Sequence, residues 1–100
     1  MSYTLSILTP SGKVFEGTVD ALLAPGLEGH FGIFTQHAPF IAALKRGILK
    51  LQIKNQMNLF VIDSGILEVN AEHETIVLAD QIEQVSNLEE AQKKLQMSEN

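Results

Sequence analysis

The chain has no cysteine. Disulfides and thiolate metal sites are therefore excluded, and the composition suits a reducing compartment. Tryptophan is also absent, and there is one tyrosine, Tyr3, a poor endowment for stacking on sugars or small ligands. Lys and Arg number seven against twelve Asp and Glu, for a formal charge of −5. The basic residues form no stripe beyond the pairs Lys45-Arg46 and Lys93-Lys94. Clustered positive charge is what phosphate binding requires, so nucleic acid is not expected as a partner. No window approaches the ~18 continuous apolar residues that span a bilayer. The start, Met1-Ser2-Tyr3-Thr4-Leu5, alternates instead of giving a basic stretch and an apolar run, so no signal or transit peptide is read there. A link to a membrane is expected only through protein partners.

Catalytic patterns are missing too. Asp63-Ser64-Gly65 lacks the Gly-x-Ser-x-Gly elbow and the strand-to-helix turn around it, and reads as a break in a strand. There is no Gly-x-x-x-x-Gly-Lys loop to cradle phosphate. His30 and His37 share a loop and His73 lies in a distant hairpin tip, with no third ligand evident beside Glu28. They read as interface or solvent-facing histidines. Glu72 and Glu74, flanking His73, read as solvated. No catalytic residue, cofactor site or metal site is expected.

What is present is enough for one core. The 100 residues are 45% hydrophobic and 19% charged, the size and composition of a single globular domain. Tyr3, Leu5 and Ile7 alternate with Thr4 and Ser6, the period of a half-buried strand. Thr9-Pro10-Ser11-Gly12 is a turn. Val14-Phe15-Glu16 opens a second strand and Thr18 to Ala24 a third, which Pro25-Gly26 breaks. His30 to Phe34 and Phe40 to Leu44 are short extended pieces. Gly47 precedes a strand with Leu49, Leu51 and Ile53 on one side and Lys50, Gln52 and Lys54 on the other. Asn55-Gln56-Met57-Asn58 is a hairpin tip, followed by strands at 59–62, 66–70 and 75–79. Short strands at close spacing, with no helix-period stretch between them, predict a flattened antiparallel β-sandwich or barrel of roughly eight to ten strands.

The tail changes character. Ser86-Asn87-Leu88-Glu89 fits a capping box. Glu89 and Glu90 precede Lys93 and Lys94 by four residues, giving two helix pairs in the sense the dipole favours. Leu88, Ala91 and Leu95 form a thin apolar stripe. A helix this short is marginal alone and must pack on the β domain or on a partner. The expected organisation is a β-sandwich over 1–84 and a short helix and tail over 85–100.

The segment from Gly26 to Phe40 gathers glycines, His30 and His37, and Phe31, Phe34 and Phe40 between strands. Glycine lets backbone turn sharply and approach another surface, and three phenylalanines around such a turn predict at least one exposed for docking. Lys45-Arg46 reads as a solvated turn available to an acidic partner.

The order of these pieces resembles the epsilon subunits of F-type ATP synthases, called delta in mitochondria. The resemblance rests on Leu8-Thr9-Pro10 with Val14-Phe15-Glu16-Gly17, on Pro25-Gly26, and on Gly29-His30-Phe31-Gly32-Ile33. It continues with His37-Ala38-Pro39, Ala43-Leu44, Gly47-Ile48-Leu49, Ser64-Gly65-Ile66-Leu67-Glu68-Val69 and Thr75-Ile76-Val77-Leu78-Ala79-Asp80. The chain departs from the family at Thr35-Gln36, where Pro-Gly is usual, and at Asp63-Ser64-Gly65, where Ser-Gly-Gly is usual.

The resemblance implies a non-catalytic subunit of the central stalk that grips the gamma subunit and rests on the ring of membrane c subunits, so that proton-driven rotation reaches the alpha/beta catalytic head. It implies a c-ring contact at Glu28, Gly29, His30, Phe31 and Gly32, and a gamma contact at His37, Ala38, Pro39 and Phe40. The location implied is the cytoplasmic face of a bacterial inner membrane, or a plastid thylakoid. Family members carry a C-terminal helical hairpin that can bind ATP or block hydrolysis. Only the start of its first helix is matched here, so little or no inhibition of ATPase is expected. The competing expectation is a free-standing β-sandwich that binds a small ligand.

Overall fold

The computed structural model describes residues 2–35 and 38–97. Ten strands precede one helix: β1 (Tyr3–Thr9), β2 (Gly12–Val19), β3 (Ala21–Gly26), β4 (Gly29–Ile33), β5 (Phe40–Leu44), β6 (Gly47–Ile53), β7 (Gln56–Ile62), β8 (Gly65–Val69), β9 (Thr75–Ala79), β10 (Ile82–Val85) and α1 (Leu88–Met97). Neighbours run in the order β10-β7-β6-β3-β5-β8-β9-β1-β2, with β4 paired to β3. This is the mainly β, flattened barrel-like sandwich that the alternation predicts. Among the described residues the pairings are antiparallel except β1 with β9, which run parallel in the register Leu5 to Thr75 through Leu8 to Leu78.

Alternation places one side of each strand inside. Leu5, Ile7, Leu22, Leu49, Leu51, Ile62, Leu67 and Val77 have no solvent exposure. Each such side chain contributes roughly 1.5–3 kcal/mol by leaving water. The layers close over this core as one cluster.

Four local expectations are corrected. The second strand runs through Val19, and Asp20 separates it from β3. The Asp20 carboxylate accepts from the Lys54 N–H (2.9 Å) and its own N–H donates to the Gln52 carbonyl (2.8 Å), which fixes the corner. Pro25-Gly26 does not end its run, because β3 extends through Gly26. Pro25 sits where the neighbour of β3 changes from β6 to β5, a junction where a missing N–H interrupts no regular ladder. The β6–β7 tip is two residues, Lys54 and Asn55, both with positive φ (49° and 67°). Ile53 pairs with Gln56 across them, as in hairpin turns whose twist matches the strands. Finally, strand structure continues past residue 80 into β10, which pairs with β7.

The helix cap is displaced by one residue. The Asn87 side chain accepts from the Glu90 N–H (2.8 Å), and the Glu90 carboxylate reaches back to the Ser86 N–H (2.7 Å). Asn87 is thus the N-cap, and Glu90 reaches one residue beyond it to Ser86. Ala91 is fully buried against the sandwich, where α1 lies on β7 and β10. Lys94 pairs with Glu83 of β10 at 3.1 Å, a tie between helix and sandwich. Arg46 donates to the Lys94 carbonyl (3.1 Å) and pairs with Asp63 (3.6 Å). The Lys45-Arg46 turn therefore directs its Arg to α1.

Candidate docking surface

The β3–β4 hairpin carries the first group of expected contact residues. Gly26 pairs with Gly29 across the turn residues Leu27 and Glu28. Gly29 has φ of 128°, a region open to glycine and strained for other residues. At Gly26 the constraint is space, since a Cβ would lie 2.7 Å from the Gly29 carbonyl oxygen and 2.8 Å from the Phe31 ring. Two bonds tie the hairpin to its neighbours: Leu27 N–H to the Ala43 carbonyl (3.1 Å) and Lys45 N–H to the Pro25 carbonyl (2.8 Å). Glu28, Gly29 and His30 are exposed, while Phe31 and Gly32 are half-buried.

The second group begins at Ala38 and Pro39, both exposed, and leads into β5 at Phe40. His37 lies outside the described residues. Phe40 meets Phe31 edge to face, with centroids 5.5 Å apart and planes at 70°. Such a pair adds about 0.5–1.5 kcal/mol beyond burial. It braces the hairpin against the start of β5, so the two expected contact regions form one edge. Phe34 is 58% exposed and Phe40 36%, so the expectation of at least one exposed phenylalanine holds. The Phe34 ring lies above Gly32, beside Leu23.

Sequence reasoning missed two features. Leu27, at the hairpin tip, is 63% exposed. A row of apolar side chains also crosses the outer face of β5, β8, β9 and β1: Ala43 opposite Ile66, Ile66 opposite Leu78, and Leu78 opposite Leu8. Ile66 and Leu78 are each about half exposed and Ile41, two residues before Ala43, is 69% exposed. The available signal was the unbroken run Ile76-Val77-Leu78. A half-buried strand alternates apolar with polar, whereas a strand covered on both faces does not.

The remaining candidates do not assemble a reactive site. Ser64 donates to the Asp80 carboxylate, and Asp80 N–H donates back to the Ser64 carbonyl (2.9 Å). That bracket holds the bend before β8, as a strand break would. His73 sits in its hairpin tip with φ of 65°, in a loop organised by Asn70, whose side-chain oxygen accepts from the N–H groups of Glu72 and Glu74 (3.0 Å each). Among the described residues no group of three His, Asp or Glu is placed to hold a metal ion.

Comparison with known proteins places the fold in a family. The family model for the ATP synthase delta/epsilon chain, beta-sandwich domain, matches residues 2–85. An ATP synthase epsilon chain from an Anaeromyxobacter species is 40% identical over 89 residues, covering 89% of this chain and 67% of that one. That of Pelotomaculum thermopropionicum is 37% identical over 87 residues, covering 87% and 64%. That of Chlorobaculum tepidum is 35% identical over 82 residues, covering 81% and 92%. The chain thus spans about two thirds of the first two relatives and most of the third. A chain in the cryo-EM structure of the Tetrahymena thermophila mitochondrial ATP synthase central stalk and c-ring matches with a TM-score of 0.70 at 16% identity, over 99% of this chain and 91% of that one. One from the Euglena gracilis mitochondrial ATP synthase matches at 0.79 and 19%, over 98% and 64%. At these identities the structural likeness concerns the fold.

Proposed function

The chain belongs to the ATP synthase delta/epsilon chain family through its β-sandwich domain, and from that premise we propose that it is a non-catalytic rotor subunit of the central stalk. Its work is mechanical. It binds gamma through one surface and the c ring through another, and carries rotation between proton flow and ATP synthesis without holding substrate.

The observation that carries this reading is the braced edge. The exposed hairpin residues Glu28, Gly29 and His30, with Phe31 and Gly32 behind them, form the proposed c-ring contact. Ala38, Pro39 and Phe40, with His37, form the proposed gamma contact. The Phe31–Phe40 pair joins the two. The apolar row through Ala43, Ile66 and Leu78, with Ile41 two residues before Ala43, continues the proposed gamma surface onto the sheet. An exposed apolar patch of this kind marks a protein contact, and here the apolar groups border two open surface depressions, one beside Ile66 and Leu78 and one beside Phe31, Phe40 and Ile41, rather than an enclosed cavity. Torque transfer needs a body that does not yield between its contacts, and a closed β-sandwich satisfies this.

Two finer points follow. α1 is held on the sandwich by Ala91, Arg46 and Glu83, so the 100 residues here are proposed to inhibit ATP hydrolysis little or not at all, with no contact to the alpha/beta head required for coupling. Among the described residues no helix is long and apolar enough to cross a membrane. Attachment at the cytoplasmic face of a bacterial inner membrane, or at a thylakoid, is proposed to run through gamma and the c ring.

The test is reconstitution. Added to membranes whose ATP synthase has been depleted of epsilon, the chain should sediment with gamma and the c ring and restore proton-driven ATP synthesis. Failure to bind and to restore synthesis would overturn the proposal.

A further inference from the structure

The apolar outer face of β5, β8 and β9 has one charge set into it. Glu68 lies opposite Ile41 on one side and opposite Ile76 on the other. Ile66 precedes it by two residues on the same side of β8, since Leu67 and Val69 turn inward and are buried. Glu68 itself is exposed. A carboxylate on a solvated sheet gains from a cation directly opposite, and this one has isoleucine in both places.

The chain does not neutralise this charge. Among the described residues the Glu68 carboxylate has neither a hydrogen bond nor an ion pair. Lys13 is the one cation on β5, β8, β9, β1 and β2. It lies three strands from β8, about 14 Å away, and is held by Glu16 at 2.6 Å. Lys45 follows Ile41 by four residues, about 13 Å along the strand direction. Covering the face with hydrocarbon alone would strip water from the carboxylate and put nothing in its place, which is costly for an unpaired charge. A second copy of the chain, laid face to face, would bring a second Glu68 and no cation. A partner that seats a cation there removes the penalty. A guanidinium fits best, because it is weakly hydrated and meets a carboxylate with two parallel bonds.

We propose that Glu68 determines the specificity of this face: it admits a partner that brings an arginine or lysine side chain, ringed by apolar groups, onto the carboxylate, and it refuses wholly apolar partners and a second copy of the chain. The occupant is gamma, a choice that rests on the gamma-binding reading above. Glu68 adjoins both surface depressions, through Ile66 along its own strand and through Ile41 across from it. These receive the apolar groups on either side of the cation. Attraction then comes from the isoleucines and discrimination from the charge among them, since a specific contact must penalise the wrong partner as well as favour the right one.

Glu68→Gln tests this, because it keeps the shape of the side chain and removes the charge. The Tm of the isolated chain should not move, since Glu68 has no partner there to lose. Gamma should dissociate from the variant at least about tenfold faster. The association rate should be nearly unchanged, as for a charge covered at the centre of a contact rather than one at its rim. Glu68→Lys, which sets like charges against each other, should dissociate faster still. Equal dissociation of gamma from the wild type and from Glu68→Gln would overturn the proposal and leave the gamma reading intact. A change in association rate alone, or slower dissociation from Glu68→Lys than from Glu68→Gln, would also overturn it. A wild-type chain that does not bind gamma would bring down the gamma reading and this proposal together. A wild-type chain that sediments as a dimer, and that Ile66→Glu returns to a monomer, would assign the face to a second copy and overturn the proposal.

Discussion

At Gly32 and Gly26 the same substitution should have different consequences. A Cβ on Gly32 would come within 2.9 Å of the Phe34 ring and 3.1 Å of a Leu23 methyl. Both are ends of exposed side chains that can swing aside. Gly32→Ala should therefore change folding stability by less than about 1 kcal/mol while displacing Phe34 and weakening partner binding. A Cβ on Gly26 meets backbone oxygen, and Gly26→Ala should cost about 1–3 kcal/mol by overpacking; urea melts of the two variants check the contrast. The positive φ in this hairpin belongs to Gly29, and what crowds Gly32 is a ring two residues on, visible only once the strands are folded together. Thr75 is 2% exposed and its hydroxyl has no hydrogen-bond partner among the described residues. Thr75→Val, of equal shape, should stabilise the protein by about 1 kcal/mol, read as a rise in Tm. Burial, with the Asp20 carboxylate adding to it, pushes the Tyr3 phenol well above its ordinary value of 10.0. In the unfolded chain Tyr3 ionises near pH 10, while in the folded chain it stays neutral. Its stabilising contribution is thus full below pH 10 and shrinks by about 1.4 kcal/mol for each pH unit above it. Alkaline melts should show this loss in the wild type and lack it in Tyr3→Phe.

Among the elements, α1 is the most separable. Its N-cap is Asn87, and a cap of this kind contributes about 1 kcal/mol. Asn87→Ala should reduce helical circular dichroism and expose Ala91, while the melting of the β-sandwich shifts little. Equal loss of both would mean that helix and sandwich fold as one unit. The existence of this helix was legible from Glu89, Glu90 and the apolar stripe. Its exact cap was not, because Ser86 and Asn87 are both good caps and the choice depends on where β10 releases the chain. The strands followed the same division. Alternation at Tyr3, Leu5 and Ile7, and at Leu49 and Leu51, located β1 and β6 by their buried sides. The two-residue tip at Lys54-Asn55 was read too long, because Gln56, Met57 and Asn58 look like turn residues until their cross-strand partners are known. β10, with Glu83 and Gln84 at its centre, offered too little hydrophobicity to be seen without β7 beside it.

At the scale of the whole molecule, the surface matters more than the interior. The sequence made the glycine-rich edge visible through its phenylalanines, but it could not show that Ala43, Ile66 and Leu78 align across three strands, because register is a property of pairing and not of any one strand. The account requires that this outer face, with the braced edge beside it, is where gamma binds. The most direct measurement is the affinity of the chain for gamma, compared with that of Ile66→Glu, a substitution at a half-exposed position outside the core. The account predicts that the wild type binds, that Ile66→Glu weakens binding at least tenfold, and that the Tm of the isolated variant moves little. Equal affinity of the two chains, or no binding by the wild type, would contradict it.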